Sequence, residues 1–282
     1  MLRNLLLWTL AFIITITIAV YQRMTGPTHP VSGSVKIDNE IIEYRFYRSH
    51  GGKSDHQVVL VTGKASFNAV LFWKRFKTND EFTSVRFFTR GDSLVAVLPH
   101  QPPAGKLEYF VNVKSQTGVV KLPEKENIVI RFKGDVPTWV LIPHVITMFG
   151  AMLLSTRTGL EYFSKKNNFK ILTYSTLMFL FIGGLILGPV VQKFAFDAYW
   201  TGFPFGHDLT DNKTVIAFLI WLFALFMYSK SQNPRMWALI GSVGLIIVYL
   251  IPHSVMGSEL DYNKIDKLNN KIDSSAVVNS NK

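Results

Sequence analysis

Apolar and polar positions divide this chain into two kinds of segment. Leu5–Tyr21, Thr138–Thr156, Ile171–Val191, Thr214–Ser229 and Met236–Pro252 are apolar runs with no Asp, Glu, Lys or Arg inside them. A bilayer core takes about 20 apolar residues as a helix. The third run meets that length outright, and the others do once their polar or aromatic flanks are counted. The fourth, Val215–Tyr228 at its most apolar, is the shortest and also reads as a buried core helix. Residues 30–136 behave differently. Ser34-Val35-Lys36-Ile37, Glu43-Tyr44-Arg45-Phe46-Tyr47 and Ser84-Val85-Arg86-Phe87-Phe88 alternate with the period of half-buried strands. Further strands are predicted at Gln57–Thr62, Ala69–Phe76, Ser93–Leu98, Leu107–Lys114 and Ile128–Phe132, separated by turn signals such as His50-Gly51-Gly52 and Arg90-Gly91-Asp92. Seven or eight strands without helical periodicity predict an all-β sandwich of immunoglobulin or fibronectin type.

The expected organisation is an N-terminal transmembrane anchor at 1–21, a β-sandwich at 30–136, a four-helix transmembrane bundle at 138–253 and a polar tail at 254–282. The tail is rich in Asn, Lys, Asp and Ser, and is expected to lose order beyond about Asn269. The first run also fits a cleaved signal peptide. The residues after it, Tyr-Gln-Arg-Met-Thr-Gly, lack the small-x-small cleavage pattern, which favours the anchor.

Charge sets the orientation. Arg3 precedes the first run, Arg157, Lys165, Lys166 and Lys170 face one acid in the second connection, and Lys230 and Arg235 flank the fourth. The Gln192–Lys213 connection has two bases against Asp197, Asp208 and Asp211. The positive-inside rule then makes the N-terminus cytoplasmic and puts Gln22–Pro137, the Gln192–Lys213 loop and the C-terminus outside. The chain is 48% apolar, 17% charged and formally +11, against about 25% charged in a soluble domain. That excludes a secreted soluble protein. The absence of cysteine excludes a disulfide scaffold, a cysteine nucleophile and a thiolate metal site, and suits a bacterial periplasm. Gln22–Pro137 carries 17 Lys/Arg against 11 Asp/Glu, with bases interleaved among aromatics as in Phe72-Trp73-Lys74-Arg75-Phe76-Lys77. Outside a membrane this is no nucleic-acid surface. It reads as a strand with one solvated face, or as a contact face for anionic headgroups, glycans or an acidic envelope protein.

The uncharged runs argue against an ion-coupled transporter or pump acting alone. Candidate chemistry gathers on the outer side. His144 lies inside the second run, in Leu141-Ile142-Pro143-His144, and His253 ends the fifth, in Leu250-Ile251-Pro252-His253. His207, Asp208 and Asp211 share one loop, and Ser254, Ser258, Glu259 and Asp261 follow His253. Imidazole and carboxylate together suit a divalent metal such as zinc, so His144, His207, Asp208, Asp211, His253 and Glu259 form the candidate ligand set. Coordinating nitrogens about 3–4 Å apart would mark such a site. A structural reading stands beside it: Asp208 or Asp211 caps the fourth helix, Lys213 enters the headgroups, and His144 bonds a neighbouring helix. Haem between His144 and His253 is disfavoured, because their depths differ by about 10 Å. Arg157 and Glu161 are spaced to pair across one turn. Gly183-Gly184 and Gly188-Pro189 predict close packing or a bend.

Arg48-Ser49-His50-Gly51-Gly52, Lys77–Glu81, Leu98–Tyr109, Trp200–Lys213 and His253-Ser254-x-x-Gly257-Ser258-Glu259 resemble segments of uncharacterised bacterial multi-spanning envelope membrane proteins. The resemblance covers most of the chain and implies an envelope protein without assigned catalytic residues. The first functional expectation is a non-enzymatic inner-membrane protein whose periplasmic sandwich binds a partner or ligand, as a subunit of an envelope complex. The alternative is a membrane-embedded metalloenzyme or metal-handling protein using the outer-face ligand set.

Overall fold

The computed structural model describes residues 2–63, 67–116, 118–164, 168–252 and 255–280, the last eight by their backbone. The chain divides into two compact units, Met1–His29 with Asp135–Ser258, and Pro30–Gly134 with Glu259–Lys282. His253, Ser254, Lys165 and Lys166, all invoked above, lie outside the described residues.

The first unit is helical. It contains α1 (Leu2–Thr25), α2 (Thr138–Leu160, continued by a 3-10 turn at Glu161–Phe163), α3 (Phe169–Leu180), a π-helical segment (Phe181–Leu187), α4 (Gly188–Phe196), α5 (Leu209–Lys230) and α6 (Pro234–Leu250). Among the described residues, four helical stretches are long and apolar enough to cross a membrane: Leu2–Thr25, Thr138–Phe163, Phe169–Phe196 and Leu209–Lys230. The fourth run, expected to be the marginal one, is thus a full 22-residue helix, because its polar first turn is helical too. The short member is α6, with 17 residues. A small core forms around Trp221, Ala151, Leu180, Ala217, Ala224 and Leu245. Trp221 is fully buried and donates its indole N–H to Ser155 Oγ at 3.2 Å, so it belongs to the core rather than to an interfacial belt. The outward faces are apolar: Leu219, Phe223, Phe226 and Ile247 are each more than half exposed. Such a surface is costly in water and suited to lipid, where helices associate through small residues and polar contacts.

Glycine supplies that close approach. A Cβ on Gly183 would fall 2.5 Å from Thr147 Oγ1, and one on Gly184 would fall 2.6 Å from Thr214 Cγ2. The predicted bend at this Gly/Pro stretch is the π-helical segment. Pro189 has no N–H, and its ring opposes the carbonyl four residues back, so widening the turn relieves the clash. At the end where α1 starts and α2 finishes, Arg157 and Glu161 form the expected i,i+4 pair, now seen to be buried, 1% and 0% exposed at the side chain, with N–O 2.5 Å. Arg157 Nη2 also donates to Asn4 Oδ1 at 2.8 Å, and the guanidinium lies over the Trp8 ring.

The second unit has two sheets sharing one core. Its strands are β1 (Val31–Ile37), β2 (Glu40–Phe46), β3 (Ser49–Gly51), β4 (His56–Val61), β5 (Asn68–Arg75), β6 (Thr83–Arg86), β7 (Phe88–Arg90), β8 (Ser93–Leu98), β9 (Lys106–Ser115), β10 (Gly118–Leu122) and β11 (Ile128–Lys133). One sheet runs β1-β2-β4-β8-β7, the other β3-β11-β9-β5-β6, with β10 also on β9. Alternation is cleanest on β9, where Leu107, Tyr109, Val111 and Val113 are buried and their neighbours are not. They meet Ile42, Phe46, Leu60 and Leu98 of the other sheet in the core. The predicted continuous strand Ser84–Phe88 is two strands, because the chain leaves one sheet after Arg86 and joins the other at Phe88.

The tail also departs from expectation. From Glu259 on it groups with this unit, and Tyr262–Ser280 form α7, a helix not expected there. Glu259 bonds Lys106 at 2.6 Å and Lys77 at 2.9 Å, while Asp266 shares Arg75 with Asp80 at 2.8 and 2.6 Å. Tyr262 lies under Arg75 and donates to Gln101 Oε1 at 2.9 Å.

Candidate functional site

Within the helical unit, a cavity of about 300 Å³ lies at the end where α1 finishes, α2 begins, α4 finishes, α5 begins and α6 finishes. Val145, Met148, Phe149, Leu180, Val191, Ala195, Ala217 and Val248 form its apolar wall, and Gln22, His144, Gln192, Asp208, Asp211 and Lys213 bring polar groups to it.

The π-helical segment shapes one side. Gly183 O accepts the backbone N–H of Gly188, the wide-turn bond, and also His144 Nδ1 at 2.9 Å. A carbonyl can only accept, so Nδ1 carries the proton and Nε2 of the neutral ring is left as an acceptor. Pro143, one residue earlier, lets α2 tolerate this polar insertion, and Thr147 Oγ1 bonds back to Pro143 O at 2.7 Å.

A polar latch closes the second side. Asp208 is the N-cap of α5, and its Oδ1 accepts Thr210 N at 2.8 Å. Its Oδ2 accepts Ser258 N at 2.8 Å and Ser258 Oγ at 3.0 Å. Asp211 Oδ2 accepts Thr201 N at 2.7 Å and Gly202 N at 2.9 Å. Gln192 donates to Thr201 Oγ1, and Gln22 donates to Tyr249 O. Both carboxylates are therefore spent on holding the Trp200–Asp208 loop and the Ser258 segment. Phe203 and Phe205, at the tip of that loop, are 79% and 83% exposed.

Lys213 is the exception. It is only 6% exposed, and among the described residues Nζ makes one hydrogen bond, to Ile251 O at 2.8 Å. No carboxylate stands within ion-pair distance of it among the described residues. An ammonium has three donors, so among the described residues this buried cation beside the cavity keeps two of them unspent.

The expected metal set is not assembled. Among the described residues no three His, Asp or Glu side chains are placed to hold one ion. His144, Asp208 and Asp211 do line one cavity, but the carboxylates already accept backbone N–H groups. His207 is exposed. Glu259 belongs to the β-unit, bound to Lys106 and Lys77. His253 lies outside the described residues. The structural reading holds for Asp208 as cap and for His144 as a bond to a neighbouring helix. Lys213, read in sequence as a headgroup anchor, lines the cavity instead. One signal pointed to it: a lysine on the face of α5 that continues into Ala217, Trp221 and Ala224. No family model matches the chain, and no curated protein matches it.

Proposed function

We propose that this is a non-enzymatic integral protein of the bacterial inner membrane that binds a small amphiphile in the helical unit. The amphiphile's hydrogen-bond-accepting, anionic head would meet Lys213, and its apolar body would lie along Val145, Met148, Phe149 and Val191. The observation that carries this reading is the Lys213 ammonium, 6% exposed with one bond, beside an apolar-walled cavity of about 300 Å³. A cationic head is disfavoured because both nearby carboxylates are already satisfied. In this reading all five apolar helices span, the N-terminus is cytoplasmic, and the cavity opens toward the periplasmic leaflet, with Phe203 and Phe205 in the headgroup region.

The test is a binding titration of detergent-purified full-length protein with dodecanoate, dodecylamine and dodecanol. Dodecanoate is expected to bind at least about tenfold tighter than dodecylamine, a difference of about 1.4 kcal/mol, and Lys213→Met is expected to remove that preference. Equal binding of all three, or tighter binding of the amine, would overturn the assignment.

A second reading concerns the β-unit. Phe72 and Phe110 stack at 5.2 Å, with Lys121 over Phe110 and Lys74 over Phe82 at 5.0 Å each. This aromatic and basic surface supports the binding of an anionic envelope partner. Lys74→Glu with Lys121→Glu should abolish retention of the full-length protein on immobilised acidic glycan, and unchanged retention would dismiss the reading.

A further inference from the structure

The β-unit contains a histidine pair that the proposed function does not use. His50 lies on β3, in the sheet β3-β11-β9-β5-β6, and His56 opens β4, in the other sheet. The Gly52–Asp55 turn carries the chain from one sheet to the other, so the two rings meet across the seam. Their Nδ1 atoms are 3.2 Å apart, and the ring centres are 5.0 Å apart with planes at 62°.

These two distances together define a geometry. One metal ion bonded at 2.0–2.1 Å to both nitrogens, near the tetrahedral angle, sets the nitrogens about 3.3 Å and the ring centres about 5.2 Å apart. A head-on N–H···N bond of the observed length would carry the ring centres to about 5.5 Å. The rings are closer than that, so their contact is bent rather than head-on, as it is between two ligands of one ion. We propose that His50 and His56 form a bidentate site for a divalent transition metal through their Nδ1 atoms, with copper(II) held more tightly than zinc(II), following the usual order for imidazole ligands.

The surroundings fit this role. His50 Nε2 donates to Ser54 O at 2.8 Å, which fixes the tautomer with a bare Nδ1; a carbonyl in that position is a common support for a metal-bound imidazole. In the metal-free pair His56 carries its proton on Nδ1. On binding, that proton moves through solvent to Nε2 of the same ring, so two neutral rings release no net proton. The turn is braced: His100 Nε2 donates to Gly52 O at 3.0 Å, and Asp55 Oδ1 accepts His100 N at 2.7 Å. The rings of His50 and His100 both stand edge-on to Phe132. No third His, Asp or Glu completes the set among the described residues. Water would therefore take the remaining positions, which makes this an open, exchangeable site.

The experiment titrates chelator-stripped, full-length protein in detergent with copper(II) and zinc(II), and records pulsed electron paramagnetic resonance on the copper form. Expected are one ion per chain, copper tighter than zinc, and nuclear coupling to two imidazoles. His50→Gln should weaken copper binding by more than about 100-fold, beyond the 10- to 100-fold that loss of an outer partner alone costs. His100→Ala should leave the two-imidazole coupling intact. His56 is buried, so His56→Ala is informative only if it folds; the coupling pattern of the unaltered protein does not depend on it. Coupling to fewer than two imidazoles, copper affinity unmoved by His50→Gln, or no stoichiometric binding of either ion would each overturn the proposal.

Discussion

Arg157 and Lys213 are two cations buried in one helical unit, 1% and 6% exposed, at its opposite ends. Taking either charge out of water costs several kcal/mol, and the two sites meet that cost differently. Arg157 has a carboxylate at 2.5 Å, an amide oxygen at 2.8 Å and an indole face. Lys213 has one carbonyl and an apolar-walled cavity. A buried charge with its partners built in holds helices together. A buried charge left short of partners beside open volume is placed for a ligand. In the proposed reading the two ends of the unit therefore divide architecture from binding.

The largest effect should come from breaking the ion-paired end. Glu161→Ala strands Arg157 in a buried site and is expected to cost about 3–5 kcal/mol, read as lowered unfolding temperature and yield in detergent. Replacing both partners with methionine should recover most of that loss, because the penalty lies in the unpaired charge. A loss below about 1 kcal/mol would mean that Arg157 reaches water on losing Glu161, and the contrast between the two ends would fail.

Next in size is a change in how the cavity end is packed. Gly183→Ala places a methyl 2.5 Å from Thr147 Oγ1 and 3.0 Å from Met148 Sδ, beside the carbonyl that holds His144. Overpacking of this kind costs about 1–3 kcal/mol and should also remove dodecanoate binding. Intact binding with unchanged stability would show that the π-helical segment relaxes freely and does not shape the cavity.

One side of this contrast was visible in sequence, and the reasons for the remainder are physical. Arg157 and Glu161 could be paired from their four-residue spacing, since a helix fixes that geometry. The apolar runs and most strands followed from period alone. β3 and β10 did not: one has three residues, and the other leaves Val119 65% exposed, so neither carries a buried alternating face. The split of Ser84–Phe88 was hidden because period 2 reports a strand and not the sheet it joins. His144, Asp208 and Asp211 were recognisable as polar groups at one end. That the two carboxylates are consumed by Thr201, Gly202, Thr210 and Ser258 depends on loop closure over distances no spacing rule covers. His50 and His56 sit six positions apart across a turn that changes sheets, so their approach is a tertiary result.

Lys213→Met tests the unsaturated end, and its effect on stability should be small. Removing a buried charge that has no ion partner among the described residues is expected to leave the unfolding free energy within about 1 kcal/mol of the parent or raise it, while the preference for the carboxylate head disappears. A loss as large as that of Glu161→Ala would make Lys213 a structural cation like Arg157, and the amphiphile reading would fall with it.

The smallest effect belongs to the half-exposed charges of the β-unit, which set the weak limit of the comparison. Hydrogen bonds from Arg75 hold the Asp80 and Asp266 carboxyls below their ordinary range. Burial pushes Glu259 up, but Lys106 and Lys77 outweigh it and hold it low as well. A carboxyl lowered in the docked state adds stability that is complete above its ordinary value of about 4 and is lost as pH falls through the lowered value. Docking of α7 should therefore be constant from pH 7 to about 5 and weaken below about 4. Because these side chains are solvated, salt should weaken docking at neutral pH too. Amide hydrogen exchange over residues 262–272 is the measure, with the segment around Arg157 and Glu161 as the internal reference, since a pair buried to 1% and 0% is screened little by salt. If α7 kept its protection in both acid and salt, Tyr262 packing rather than charge would hold it. If the Arg157 segment responded to salt as α7 does, burial would not be what separates strong from weak charge pairs in this chain.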